Sequence, residues 1–490
     1  MDSVFAAVLP VLQGGLGNLA AYLAAHVLLC LLPAFFIAGA MAALIPKETV
    51  TRFLGRSAPR TVAYPAAAAA GSLLAVCSCT IVPLFAGIYR KGAGLGPAIT
   101  FLFFAPAANI LALVYTGGII GVDLALARLF LSLTFGIGIG LIMALIFRAD
   151  DAARDRATDA LFAAQSAEGM RRAALAFLLV WVALLLAATL KLGLLTDAHF
   201  QFDLPLRGTD AWQAALDRAV PHDAARGEEG VTVQGVLLIG LLAAIGLAAW
   251  RGLENIQNGA NAWTRASLVL IAITLLFAAL SVQTGAEALR IGVTGKFLGV
   301  AAALGALWYL AARRLSDDER RDWLWESWRF VKQIFPLLIA GVFVVGMIRV
   351  LVRPEWIEAV AGANTLPGNL AGVAFGVVMY FPTLVEVPIA RMFLDLGMHR
   401  GPLLAYLMAD PELSLQSILM ISVIIGRLKA WTYVAWVALF SMLAGLIYGA
   451  WVDGVPVGLL LLGLAGLVAL LGMALWLADR RNAVQAAAAH

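Results

Sequence analysis

Pro83, Pro97 and Pro106 stand 14 and 9 residues apart, and Pro388, Pro402 and Pro411 repeat those spacings 305 residues further on. Gly71, Gly92, Gly96 and Gly140 keep the same offset to Gly376, Gly397, Gly401 and Gly445. Proline fixes φ and removes an N–H, while glycine frees the backbone, so a pattern of the two written twice specifies one chain path twice. Both copies lie in apolar sequence of membrane length. A chain that breaks its spanning segments at matched places reads as a transporter made of two repeated halves.

The solvent is set by composition: 62% of the 490 residues are hydrophobic and 13% are charged. Such a balance belongs to a polytopic membrane protein. Apolar runs cover 19–45, 94–117, 119–147, 173–195, 232–250, 264–281, 292–312, 333–353, 402–424, 431–450 and 455–478. Each reaches or approaches the ~20 residues a spanning helix needs. Two more, 62–90 and 367–391, are interrupted by Cys77-Ser78-Cys79-Thr80 and by Tyr380-Phe381-Pro382-Thr383. Four regions follow: a first transporter repeat (19–147), a linker of four spanning helices and polar loops (148–332), a second repeat (333–450), and a C-terminal helix and tail (451–490). Asp2 stands where a secretory signal would be basic, so no cleaved signal peptide is expected.

Loop charge orients the chain. Arg148, Arg154, Arg156, Arg171 and Arg172, and then Arg313 to Lys332, mark cytoplasmic loops, whereas 196–230 is mostly acidic. If each interrupted segment crosses once, Lys47, Arg52, Arg56, Arg60, Arg427 and Lys429 fall outside; if each is a re-entrant hairpin, all move inside and the halves become inverted. Half-helices of about 12 residues rise ~18 Å, enough to reach the midplane. The reading is therefore an all-α, inverted-repeat secondary transporter in the inner membrane, with about 11 spans and two re-entrant hairpins. Trp323, Trp325 and Trp328, set among basic residues, suggest a helix lying in the inner interface.

Irregular backbone at membrane depth survives only inside protein or beside water, so the hairpin tips, with Pro83, Pro382 and Pro388, should meet where the halves join. The following element of each half is broken at Pro106, near Asn109, and at Pro411, near Gln416. Substrate contacts are expected from Cys77, Ser78, Cys79, Thr80, Asn109, Thr383 and Gln416. Thiolates are soft ligands for copper(I), zinc or trivalent arsenic, and a lone Cys-x-Cys suits a transported species better than a closed structural metal site. The alternative is that Cys77 and Cys79 merely pack; Cys30 is read as core. Glu386, Asp410 and Glu412 are ionisable groups in membrane segments and are read as proton carriers. The structural alternative pairs Glu386 with Arg391.

Leu73–Thr116, with Leu-Leu-Ala-Val-Cys-Ser-Cys-Thr-Ile-Val-Pro, Arg-Lys-Gly-Ala-Gly-Leu-Gly-Pro-Ala and Phe-Phe-Ala-Pro-Ala-Ala-Asn in order, resembles the YraQ/ArsP-type permeases. The resemblance extends through both repeats. It implies efflux of trivalent organoarsenicals, with the arsenical-binding role falling on Cys77 and Cys79. Thr80 replaces the glycine of many members, and the second half has no cysteine in its broken segment. The expected function is secondary-active export of a thiophilic solute, an organoarsenical or soft metal species, by alternating access with proton coupling. The alternatives are a proton-coupled permease for an unrelated solute and a membrane thiol-redox protein. No phosphate loop or phosphorylation signature occurs and no nucleophile–base arrangement stands out, so neither an enzyme nor a cofactor is expected. Expected partners are a small-molecule or metalloid substrate and the lipid membrane, not nucleic acid, with homo-oligomerisation open.

Overall fold

A computed structural model describes residues 2–25, 27–56, 58–73, 78–154, 172–189, 193–222, 230–351, 355–378 and 386–488. Helices dominate: α1 (Asp2–Ala25), a π-helical turn (Val27–Leu31), α2 (Leu32–Leu44), α3 (Lys47–Leu54), α4 (Arg60–Leu73), α5 (Ser78–Arg90), α6 (Leu95–Ala107), α7 (Ile110–Ile119) and α8 (Val122–Ile146). The middle region holds α9 (Arg172–Thr189), α10 (Gly193–Thr196), β1 (Ala198–Leu204), α11 (Thr209–Ala219), α12 (Val233–Gly252), α13 (Ala262–Ala278), β2 (Ser281–Gln283), β3 (Leu289–Thr294) and α14 (Gly295–Arg313). Then come α15 (Asp317–Leu351), α16 (Glu355–Ala361), α17 (Leu366–Val378), α18 (Glu386–Asp395), α19 (Arg400–Leu413), α20 (Leu415–Ile425), α21 (Arg427–Val452) and α22 (Val457–Ala488).

The offset seen in the prolines governs the helices too. Adding 305 to the first residues of α6, α7 and α8 gives those of α19, α20 and α21. The turns agree: Gly92 (φ 93°) matches Gly397 (φ 88°), and Gly121 (φ 150°) matches Gly426 (φ 89°). Such φ values are open to glycine at little cost, which explains why these glycines recur. In each copy the middle helix packs between two others, α4–α6–α8 and α17–α19–α21. Gly96 faces Gly140 as Gly401 faces Gly445, letting backbones approach as small residues do between membrane helices. A Cβ at Gly140 would sit 2.7 Å from the Gly96 carbonyl oxygen, whereas one at Gly240 meets nothing within 4 Å. Gly140→Ala should therefore destabilise the protein by about 1–3 kcal/mol. Gly240→Ala, in the interior of α12, should stabilise it by about 0.5–1 kcal/mol. Thermal unfolding of the two variants in detergent checks the opposite signs.

The copies meet along α8 and α21, which are equivalent and run antiparallel. Asp150, beyond the end of α8, lies 3.4 Å from Lys429 at the start of α21. At the opposite end, Tyr448 donates to Asp123 at 2.8 Å, and Arg400 pairs with Asp123 at 2.8 Å. Between them Phe135 packs against Phe440, its own equivalent, with ring centroids 4.9 Å apart and the rings tilted by 43°. The flanking contacts are reciprocal, α5 with α20 and α18 with α7. Reciprocity of this kind is the mark of a two-fold relation.

Six helices among the described residues are long and apolar enough to cross a membrane, or eight if two bent pairs, 9–44 and 400–425, each count as one. Shorter apolar helices account for further runs, among them Arg172–Ala188 and Ala262–Ala278. Two expectations need correction. The chain is not all-α: β1, β3 and β2 form an antiparallel sheet in that order, with Ala198 to Leu204 against Thr294 to Leu289. The alternation of Phe200, Phe202 and Leu204 is the strand period, and the apolar run from 292 begins in β3. Nor do the tryptophans lie on a separate interfacial helix, because Trp323, Trp325 and Trp328 belong to the continuous α15. Trp323 is buried there and donates to the Phe36 carbonyl at 3.0 Å.

The start of α15 is fastened to the loop after α12. Lys332 and Trp328 both donate to Glu254, at 2.7 and 2.6 Å. Those bonds, Lys332 first and then Trp328, hold the Glu254 carboxyl below its ordinary value of 4.5. A carboxyl depressed in the folded state contributes stability above its unfolded pKa and loses it as pH falls through the folded one. Glu254→Gln should thus lower the melting temperature at pH 7 slightly, by under ~1 kcal/mol for so exposed a pair. It should also remove that part of the melting-temperature loss that occurs below pH 4.5, which a thermal scan from pH 3 to pH 7 would measure.

Candidate functional site

Charge collects where α8 passes the breaks of both copies. Arg128, on the second turn of α8, is fully buried, as are Glu386 and Asp410; Glu412 is 2% exposed. Arg128 Nη2 donates to Glu386 Oε1 at 2.6 Å, joining the first copy to the first turn of α18. Its Nε donates to the Ala107 carbonyl at 2.7 Å and its Nη1 to Thr116 Oγ1 at 3.3 Å. Asp410 and Glu412 lie close enough to Glu386 for the three carboxyls to interact. Tyr433 donates to Glu412 Oε2 at 2.6 Å.

Local sequence explains the frame. Pro106 and Pro411 sit in the last turns of α6 and α19, and the helices stop at Ala107 and Leu413. Each break needs an N-cap for the helix that follows. Asn109 accepts from the Ala112 amide at 2.8 Å, and its equivalent Ser414 accepts from the Ser417 amide at 3.3 Å. Asn109 also donates to the Pro106 carbonyl at 3.4 Å. Both its oxygen and its nitrogen thus take part in the break itself. Carbonyls left over at a helix end must find donors, and Arg128 serves Ala107. The second copy uses the same positions differently: Tyr433 is equivalent to Arg128 and Glu412 to Ala107, so a phenol reaches a side-chain carboxyl where the guanidinium reaches the backbone.

The other expected residues are distributed as follows. Glu386, Asp410 and Glu412 are brought together. Gln416, in the first turn of α20, is fully buried near Gly341 of α15, and its amide has no hydrogen-bond partner among the described residues. Thr80 is buried and hydrogen-bonded to Cys30 Sγ at 2.6 Å, which gives the lone thiol of the first span a packing and bonding role. Ser78 and Cys79 open α5, described by their backbone alone. Pro83 lies within α5, where it leaves the Cys79 carbonyl without its helical donor. Pro388 falls in the first turn of α18, a position proline tolerates. Cys77, Pro382 and Thr383 lie outside the described residues.

Arg391 is not the partner of Glu386. It pairs with Asp395 one turn along α18, at 3.1 Å, on an exposed face. Arg128 was missed by the sequence reading, although a signal existed: it is an arginine inside the apolar run 119–147, and intramembrane ionisable groups point to function by default.

This arrangement holds three buried carboxyl groups beside one buried guanidinium. Removing an ion from water costs several kcal/mol even after relaxation, so acids in excess of their cation must be neutralised by protons or by a bound cation.

Residues 14–450 match the model of a family described as "Predicted permease". A UPF0718 protein of Methanocaldococcus jannaschii is 32% identical over 429 residues, which cover 87% of this chain and 93% of that protein. The UPF0718 protein YraQ of Escherichia coli is 31% identical over 118 residues, 24% of this chain and 34% of that protein. No solved structure matches.

Proposed function

The chain belongs to this family of predicted permeases, a family of membrane transporters rather than enzymes, and on that footing we propose that it is a secondary-active exporter coupled to protons. The observation that carries the reading is the buried Arg128–Glu386 pair with a second buried carboxyl, Asp410, beside it. Two neighbouring buried carboxyls beside one guanidinium favour uptake of a proton, and releasing it leaves two acids to one cation. Entry of a solute, protonation and rearrangement of the tie between the copies are then linked events. Alternating access follows when that tie breaks and the copies rock about α8 and α21.

The two copies are inverted in the bilayer of the inner membrane. Support comes from α8 and α21, equivalent helices that lie antiparallel with contacts at both ends. Eleven spans and two re-entrant hairpins accommodate this arrangement, with repeats at 19–147 and 333–450 around a linker of 148–332. The solute is thiophilic, a trivalent organoarsenical or soft metal species, held by Cys77 and Cys79, with Ser78, Thr80 and Thr383 contributing further contacts. Resemblance to the organoarsenical permeases supports this choice, together with the softness of thiolate ligands.

A second reading, a proton-coupled permease for a hydrogen-bonding solute, is favoured by Gln416, whose buried amide has no partner among the described residues. Everted vesicles test the coupling. Asp410→Asn should transport with a pH dependence flattened relative to wild type while retaining the wild-type melting temperature. A wild-type pH profile in that variant would remove Asp410 from the coupling scheme.

A further inference from the structure

A cavity of about 260 Å³ lies where the starts of α4 and α6 meet the end of α8, and its charged lining is Arg56, Arg60, Arg148 and Asp151. We propose that it binds a phosphate-bearing anion, independently of what the permease transports. Guanidinium groups stay charged at any physiological pH and present forked donors that match phosphate oxygens. The lining carboxylate is already engaged: Asp151 accepts from the Leu95 amide at 3.2 Å and from Arg154 at 2.9 Å. Arg56 and Arg60 are exposed and Arg148 is partly so, so the cavity opens towards water or headgroups rather than into the core. It lies among the basic loops that mark the cytoplasmic face.

The second copy shows that the fold does not need these arginines. At the 305-residue offset, Arg56, Arg60 and Arg148 become Ala361, Thr365 and Asp453. There the same space is filled from within. Asn364 occupies the room a side chain at Gly449 would need and donates to the Leu446 carbonyl at 3.2 Å. Asn369 donates to Asn364 at 2.8 Å, and His399 bonds Asp453 at 3.0 Å. One scaffold is thus occupied by Asn364, Asn369 and the His399–Asp453 pair in one copy and left open and lined by three arginines in the other. Small walls at Ala63, Gly96 and Ala144 keep it open.

The ligand chemistry has two sources, the headgroup of an anionic phospholipid and free phosphate. Full-length protein in neutral detergent is melted with added phosphatidylglycerol, phosphatidylcholine or inorganic phosphate. The variants are Arg56→Gln/Arg148→Gln and, as a remote control, the exposed Arg265→Gln. Wild type and the control should gain roughly 2–3 °C at ~100-fold excess over Kd from phosphatidylglycerol, phosphate or both, and the paired variant under about 1 °C. A response to phosphatidylglycerol alone assigns the headgroup, and a response to phosphate alone assigns the free anion. An equal shift in the paired variant, or no shift of wild type beyond that given by phosphatidylcholine, overturns the proposal. Should the paired variant fail to fold, Arg60→Gln read by native mass spectrometry for retained phosphatidylglycerol decides in the same way: loss of the lipid supports the site and full retention overturns it.

Discussion

Arg128→Leu should lose about 3–5 kcal/mol of stability and transport at background level. Glu386 is fully buried, and without its guanidinium the carboxylate has neither water nor a cation. The Ala107 carbonyl loses its donor at the same time. Arg128→Leu/Glu386→Leu separates the structural part of this loss from the functional part. Replacing both members of a buried pair by apolar groups is often close to neutral, so the double variant should regain most of the melting temperature. It should not regain transport, because the group that exchanges a proton and ties the copies is gone. A double variant that transports at the wild-type rate would show that the pair is scaffolding and would end the coupling scheme.

Cys77→Ser and Cys79→Ser should each reduce export of a methylated trivalent arsenical to the level of empty vesicles. Serine keeps the size and polarity of the position but offers a hard oxygen in place of a soft thiolate, so a structural role would survive the exchange. Expression and melting temperature should stay at wild-type values. Full transport in the double serine variant would sink thiol ligation and leave a proton-coupled permease for another solute. Comparison with inorganic arsenite, zinc and copper in the same vesicles identifies the solute class. A change in alkylation of Cys77 and Cys79 on adding a soluble thiol protein would instead favour the redox reading.

Much of this molecule is written locally. Pro106 and Pro411 mark the breaks after α6 and α19, and Asn109 and Ser414 are residues that cap helices. The acids at 386, 410 and 412 were conspicuous because they interrupt apolar sequence. Their cation was harder to find. A local search offers Arg391, five residues from Glu386, but α18 aims that side chain at Asp395, one turn along the same helix. The sheet escaped for a related reason: β1 is separated from β3 by 84 residues, so the partner that pairs its backbone lies beyond any local reading.

Sequence alone thus determined that the protein is a membrane-embedded duplication, and where its helices start and break, because proline, glycine and apolar runs act on the backbone within a few residues. Only the tertiary structure decided that the equivalent helices α8 and α21 lie antiparallel, that Glu386 answers to Arg128 across 258 residues, and that one copy keeps an arginine-lined cavity the other fills. Those outcomes depend on which buried charges and surfaces the closed chain brings within a few ångströms. A burial cost is felt only there, where no water remains to meet it.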